Sequence, residues 1–238
     1  MKYCLTLSKA TTLCLSKPVL AGKRRRSVTR KKIQFWFKKK QEITEWLEAH
    51  RSEINTGKLV VLFQDECHLL WGDLCGYLWG KTTERIEVPI VNQRSKQTYF
   101  GAINLYTQQC FIQAFEAGNS EGTIAFLKYL QKQFPGSRIA LIWDGATYHR
   151  SQEVKDYLKS VNQGLDASNW QITCIRFAPN APQQNPLEDV WLQAKRFVRE
   201  CYHLCQSFGV VKYLFEFITH LQIFNPKLFT YGSFSQIV

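Results

Sequence analysis

Three acidic side chains stand where metal-dependent chemistry would need them. Asp65 and Asp144 each follow a short apolar run, and Glu188 lies in the first turn of a predicted helix. Carboxylates at strand ends of an α/β sheet point into the crevice where ligands bind. Such hard oxygen ligands suit Mg²⁺ or Mn²⁺, and two such ions about 4 Å apart can promote displacement at phosphorus. Acids in these positions also often just cap the following turn, so their placement alone leaves both interpretations open.

The helix geometry favours Glu188 over its neighbour Asp189. At roughly 100° per residue, Glu188 falls at the rim of the apolar face, beside Lys195 and Arg199, whereas Asp189 points away from the core. We therefore expect Glu188 to reach the sheet edge. Lys195 and Arg199 are candidates for contact with DNA phosphates, although exposed helix cations are equally often just solvated.

Two further choices stay open. Strand alternation sends Asp65 and Glu66 to opposite faces, and the pattern alone does not decide which of them enters the crevice. His149, five residues after Asp144, is a candidate for contact with substrate. A histidine at a helix start more often packs or caps, and we favour packing.

The hydrophobic pattern predicts a mixed α/β order of elements. Strand, hairpin, helix, strand, helix, strand and helix would form a mixed five-stranded sheet flanked by helices. The predicted strands are 59–63, 98–105, 110–117, 138–143 and 171–177. The predicted helices are 33–54, 120–134, 151–161, 186–202 and 210–221.

The positive charge is concentrated at the start of the chain. The chain carries a net charge of +12, and residues 1–58 hold 15 Lys and Arg residues against four acids. A nearly neutral domain therefore follows a basic N-terminal arm, which would attract a polyanion through phosphate neutralisation. The arm residues that we expect to bind DNA are Arg24, Arg25, Arg26, Lys31 and Lys32.

Composition argues against several other classes of protein. No stretch approaches the roughly 18 apolar residues of a membrane span, and the basic cluster near residue 23 follows the first apolar run instead of preceding it, unlike a signal peptide. The eight cysteines include no Cys-x-x-Cys pair, so buried reduced thiols are favoured over a disulfide scaffold or a zinc site. We expect a cytoplasmic, nucleoid-associated protein.

Three blocks of sequence together resemble a known family. They are Phe63-Gln64-Asp65-Glu66, the run from Trp143-Asp144-Gly145 to His149-Arg150, and Asn185-Pro186-Leu187-Glu188-Asp189-Val190-Trp191. These blocks resemble the DDE transposases of the mariner-type superfamily, most nearly the bacterial insertion-sequence branch. The resemblance covers about residues 33 to 204, and the third block is its most specific part.

The resemblance implies a ribonuclease-H-like fold and metal-dependent cutting of DNA at transposon ends, after which the freed 3′-hydroxyl attacks target DNA. It implies that Asp65, Asp144 and Glu188 are the catalytic triad and bind two Mg²⁺ or Mn²⁺ ions. Its implied partners are double-stranded DNA of the terminal repeats and target, a second copy in a homodimer, and a separately encoded helix-turn-helix protein. The alternative is a transposase relic that only binds DNA.

The same resemblance sets the expected domain organisation. We expect a basic linker or remnant of a DNA-binding region at 1–32, a connecting helix at 33–58, the catalytic domain at 59–204 and a helical extension at 205–238. The 43 residues between Asp144 and Glu188 form a longer spacer than is typical of the family. The polar segment from Asn162 to Asn169 is expected to hold the extra length at the surface.

Overall fold

A computed structural model of the chain describes residues 3–7, 13–16, 30–74, 77–78, 95–179, 181, 184–226 and 231. The strands are β1 (Tyr3–Leu7), β2 (Leu13–Ser16), β3 (Leu59–Leu70), β4 (Tyr77–Leu78), β5 (Lys96–Asn104), β6 (Cys110–Phe115), β7 (Arg138–Trp143) and β8 (Ile172–Arg176). The α-helices are α1 (Arg30–Ala49), α2 (Arg51–Asn55), α3 (Ser120–Gln133), α4 (Gln152–Val161), α5 (Leu187–Glu200) and α6 (Phe208–His220).

The main sheet has the five strands that the hydrophobic pattern predicts. Its order is β6-β5-β3-β7-β8. Strands β5 and β6 are an antiparallel hairpin, and β7 runs parallel to both β3 and β8. The prediction of a mixed five-stranded sheet with flanking helices is therefore confirmed. A second sheet, of order β2-β1-β4, includes two strands within residues 1–32, where the sequence predicts no element.

Local chemistry explains why the hairpin turns where it does. The Asn104 side chain accepts hydrogen bonds from the backbone N–H groups of Tyr106 and Thr107, at 2.8 and 3.1 Å. Gln108 adopts a left-handed conformation with φ of 61°, which lets the chain reverse. Asparagine side chains favour such turns because they hydrogen-bond to nearby backbone.

Helices α3 and α4 begin at polar caps. Asn119 accepts a hydrogen bond from the N–H of Gly122 at 2.8 Å, at the start of α3. Ser151 accepts one from the N–H of Val154 at 3.3 Å, at the start of α4. Such side chains satisfy backbone donors that the first helical turn leaves free, so the predicted bounds of these two helices are nearly met.

Two elements differ from their predicted bounds. Strand β3 does not end near Phe63 but continues to Leu70, because Cys67 and Leu69 alternate as buried residues with exposed His68 and Leu70. The predicted helix 33–54 is divided by a turn at His50 into α1 and α2. By contrast, the polar segment from Asn162 to Asn169 lies at the surface as expected, with residues 163–169 exposed and Asn162 half-buried.

The described residues fall into two compact units. One is drawn from residues 1–27, 68–97 and 192–223, and the other from 28–67, 98–191 and 224–238. In the second unit, one face of the sheet packs against α3 through buried side chains that include Phe100, Phe126, Leu127, Leu130 and Leu141. Among the described residues, no helix is long and apolar enough to cross a membrane.

Candidate active site

The parallel pairing of β3 and β7 brings two of the three predicted acids to the same level of the sheet. Phe63 pairs with Ile142, and Asp65 and Asp144 each come two residues later. Neighbouring strands are about 4.8 Å apart, so the two carboxylates leave the sheet as neighbours. Asp144 directly follows β7, as predicted, whereas Asp65 lies within the extended β3.

Asn185 fixes the start of the helix that carries the third acid. Its side chain donates a hydrogen bond to the backbone oxygen of Gln64 at 3.0 Å and accepts one from the N–H of Leu187 at 3.1 Å. The first turn of α5 is thereby tied to β3 immediately before Asp65. Glu188 lies in that turn.

The three acids line one cleft of about 510 Å³. The other residues that line it are Gly145, Ala146, Thr147, Phe177, Ala178, Pro179, Ala181 and Asn185. Asp189 does not line the cleft, which agrees with the helical geometry that favours Glu188. Between Asp65 and Glu66, the structure places Asp65 in the cleft. A larger cleft of about 750 Å³ lies between α4, the following loop and β8, but only one acid, Asp156, lines it.

The ionised form of Asp65 is electrostatically unfavourable in the metal-free protein. Its burial raises its pKa well above the usual value, and the negative charges of Glu188, Glu66 and Asp144 raise it further. The indole Nε1 of Trp191 donates a hydrogen bond to Asp65 Oδ2 at 3.2 Å. A group of carboxylates that repel one another is a site where a cation would be stabilising.

The pKa of Asp144 is shifted in the opposite direction, below its usual value. The contact with His149 lowers its pKa, burial opposes that shift, and the hydrogen bond from the backbone N–H of Ala146 lowers the pKa further. That bond measures 2.9 Å and ends on Oδ1. Asp144 is therefore held in its charged form, which is the form that binds a metal ion.

His149 is buried behind this site, at 3% exposure. Its Nε2 lies 3.0 Å from Glu66 Oε1, and its Nδ1 lies 3.1 Å from Asp144 Oδ1. The second contact is at ion-pair distance but falls outside hydrogen-bond geometry. Burial by itself would lower the pKa of His149, but the contacts with Asp144 and Glu66 outweigh it and raise the pKa to about 9. His149 does not line the cleft, so its place favours support of Asp144 over contact with substrate.

The donor set fits a hard divalent cation. Asp65, Asp144 and Glu188 supply only carboxylate oxygens to the cleft, which is the ligand type of Mg²⁺ and Mn²⁺. The described donor atoms that lie within 4.8 Å of one another belong instead to Glu66, Asp144 and His149. The three cleft acids do not form a group this close together among the described residues.

The candidate DNA-binding cations are engaged within the protein or lie outside the described side chains. Lys195 Nζ contacts Asp73 Oδ2 at 3.0 Å and the backbone oxygen of His68 at 2.9 Å. Arg199 Nε donates to the backbone oxygen of Asp73 at 2.9 Å. These bonds tie α5 to the turn after β3, and the DNA contacts of both cations stay predictions. The side chains of Arg24, Arg25, Arg26, Lys31 and Lys32 lie outside the described part.

Sequence reasoning missed two side chains that shape the cleft. Trp191 and Asn185 stand in the third sequence block, and the pattern assigns neither of them a role. Trp191 is buried at 4% and also donates a hydrogen bond to Asp65. The position of Asn185 two residues before a helix whose first turn carries an acid is a signal for a cap. For Trp191, the sequence pattern does not distinguish an indole that only packs in the core from an indole that also donates a hydrogen bond.

Comparison with known proteins identifies the family. The family described as DDE superfamily endonuclease matches residues 60–207, which is more than half of the chain, so this protein belongs to that family. No curated protein sequence matches it.

Solved structures of similar fold include three of the Mos1 transposase. A paired-end complex with the left transposon end is 13% identical with a TM-score of 0.57, and a mariner Mos1 paired-end complex with Mg is 11% identical with a TM-score of 0.55. Each match covers 87% of this chain and 59% of the Mos1 chain. The Mos1 catalytic domain with raltegravir and Mg is 12% identical with a TM-score of 0.50, over 82% of this chain and 85% of that one.

These likenesses define the fold as ribonuclease-H-like, as in the Mos1 catalytic domain. The chain spans 59% of the length of the Mos1 chains in the paired-end complexes.

Proposed function

We propose that this chain is a transposase catalytic domain that cleaves DNA at transposon ends and joins the freed ends to target DNA. One observation carries the proposal. In a chain of the DDE endonuclease family, Asp65, Asp144 and Glu188 line the same cleft at one edge of the sheet. The likeness of the third sequence block to the bacterial insertion-sequence branch supports assignment to that branch.

In this proposal, Asp65, Asp144 and Glu188 bind two Mg²⁺ or Mn²⁺ ions. When bound, such ions supply an activated nucleophilic oxygen and stabilise the leaving oxygen in an in-line displacement. The protein holds the three carboxylates in position through rigid elements. Trp191 orients Asp65 from α5, Asn185 anchors the turn that carries Glu188, and the N–H of Ala146 orients Asp144.

The proposed DNA contacts are Lys195, Arg199 and the basic residues of the N-terminal arm. Lys195 has three N–H donors and Arg199 has five, so the bonds described above leave donors for phosphate oxygens. Contacts of this kind position the duplex but do not read its sequence. Two of the Mos1 structures are paired-end complexes, which supports the proposal of a dimer that pairs two terminal repeats. A separately encoded helix-turn-helix protein is the proposed source of sequence recognition.

The test is cleavage of labelled duplex that carries the terminal repeats flanking the gene, in the presence of Mn²⁺. The wild-type chain should cut at the repeat end and leave a 3′-hydroxyl. Asp144→Asn and Glu188→Gln should each abolish cutting, because each removes a charged metal ligand. Asp189→Asn is the matched control, since the neighbouring acid does not line the cleft, and it should cut like the wild type.

Two results would contradict the proposal. Binding of the duplex that is independent of metal, without cleavage, would indicate the relic that only binds DNA. Cleavage of branched DNA but not of terminal repeats would indicate a structure-selective nuclease of the same fold.

A further inference from the structure

The imidazole of His149 contacts the carboxylates of both Glu66 and Asp144. We name these three residues the Glu–His–Asp relay. The side chains of His149 and Glu66 are 1% and 7% exposed, whereas that of Asp144 is 55% exposed. The relay thus runs from a buried acid, through a buried ring, to the acid that reaches the cleft. Substitution of a residue that contacts a metal ligand changes the orientation of that ligand. Glu66 and His149 can therefore control the orientation of the Asp144 carboxylate.

The ring of His149 has little freedom to turn. It stacks on Trp143 with ring centroids 4.2 Å apart and planes at 8°, and Tyr148 meets it edge-on at 4.7 Å. The oxygen of Glu66 that contacts Nε2 also accepts a hydrogen bond from the Gln64 amide at 2.8 Å. The inner end of the relay is therefore fixed by packing and by hydrogen bonding.

The outer end of the relay acts on one oxygen of Asp144. Oδ1 accepts the bond from the N–H of Ala146 and also lies next to His149 Nδ1. Both of these contacts use Oδ1. A carboxylate held by one oxygen presents the other in a defined direction, which is what a metal ligand needs.

We propose that His149 is a positioning residue, anchored by Glu66, that holds Oδ1 of Asp144 so that Oδ2 faces the cleft as a metal ligand. This inference rests on the proposed function only for the role of Asp144. It assigns Glu66 a place outside the metal-binding set, although Glu66 adjoins Asp65 in sequence. It also accounts for a histidine whose two ring nitrogens both face carboxylates.

Two substitutions of His149 separate the two ends of the relay. The side-chain amide nitrogen of asparagine takes roughly the place of Nδ1, and that of glutamine takes roughly the place of Nε2, each as a donor. His149→Asn therefore keeps a donor toward Asp144 and loses the one toward Glu66. His149→Gln keeps the donor toward Glu66 and loses the one toward Asp144.

The experiment measures the affinity of the full chain for Mn²⁺ alone, by the electron paramagnetic resonance signal of free Mn²⁺. His149→Gln should weaken binding about 10- to 100-fold, the usual effect of losing the partner of a metal ligand. His149→Asn should lose less affinity than His149→Gln, because its amide keeps an N–H group beside Asp144 Oδ1 although the charge of the ring is lost. Circular dichroism shows whether each variant is folded, and His149→Asn still tests the proposal if His149→Gln does not fold.

Glu66→Gln distinguishes the relay from a metal site made by the relay itself. The variant keeps an oxygen that accepts from His149 but loses the charge of Glu66. Under the proposal it should bind Mn²⁺ within about threefold of the wild type. A loss as large as that of Asp144→Asn would show that Glu66 binds the metal, and would overturn the proposal.

The failure of the inference is distinguishable from that of the proposed function. If His149→Gln binds Mn²⁺ like the wild type while Asp144→Asn does not bind it, the inference is wrong and the proposed function stands. If the wild type does not bind Mn²⁺, or Asp144→Asn binds it equally well, the proposed function itself is wrong.

Discussion

Gly101→Ala should destabilise the protein through the indole that binds Asp65. A Cβ at Gly101 in β5 would lie 2.5 Å from two ring atoms of Trp191 and 3.1 Å from Leu187 Cδ2. Because ordinary carbon contacts lie at about 3.5 Å, the indole must shift by about 1 Å. That shift would stretch the 3.2 Å bond from Trp191 to Asp65.

The expected loss follows from the two effects. Overpacking costs about 1–3 kcal/mol, a typical hydrogen bond contributes about 0.5–1.5 kcal/mol, and reduced freedom of the unfolded chain returns about 0.4–1 kcal/mol. We expect a net loss of about 2 kcal/mol in the free energy of unfolding. For a chain of this size, that loss lowers the melting temperature by roughly 4–8 °C.

Thermal and urea unfolding measure the loss. Gly72→Ala is the matched control, since a Cβ there meets nothing within 4 Å, and it should change stability by less than about 0.5 kcal/mol. Trp191→Phe removes the ring atoms that clash, so the double variant with Gly101→Ala should be more stable than the sum of the single effects. A melting temperature of Gly101→Ala within about 2 °C of the wild type, or strict additivity, would refute this reasoning.

Three further predictions concern ionisable groups. Because the pKa of His149 is raised to about 9, the metal-free protein should be most stabilised by this group below about pH 6.5 and should lose roughly 3 kcal/mol as the pH rises toward 9. Urea unfolding across that range should show the decline, and His149→Gln should flatten it; an unchanged slope would contradict the assignment. Asp65→Asn should raise the melting temperature of the metal-free protein, since burial and the charge of Glu188 disfavour the ionised acid. It should also abolish the rise of about 2.7 kcal/mol that Mn²⁺ gives the wild type at 100 times its Kd, and a lower melting temperature without metal would contradict this. Burial raises the pKa of Cys110 to about 12, so mass spectrometry should find this thiol unalkylated in the native protein at pH 8 and alkylated after unfolding; rapid native alkylation would contradict its burial.

The local pattern predicted most of the sheet and its helices because each element carries its own signal. Strand β7 matches its predicted bounds, since the apolar run at 138–143 lies between a turn at Pro135-Gly136 and the polar segment after Asp144. The hydrophobic pattern does not predict the extension of β3, because polar and apolar residues alternate in the second half of the strand. That alternation is typical of a strand buried on one face, and it is weaker than the continuous run that precedes it.

The site could be predicted only in part, because its details depend on tertiary contacts. Alternation separated Asp65 from Glu66 but could not choose between them. The choice depends on which face of the sheet α5 covers, and there the absent side chain at Gly101 leaves room for Trp191. The pairing of His149 with Glu66 joins residues 83 positions apart in sequence, and no periodic pattern reports such a contact.

The most direct test of the account is the anomalous diffraction of Mn²⁺ in crystals of this protein. The account predicts two peaks in the cleft, about 4 Å apart, at roughly 2.1 Å from carboxylate oxygens of Asp65, Asp144 and Glu188. Ions bound instead by Glu66 and His149, or a cleft without ions at saturating Mn²⁺, would contradict it.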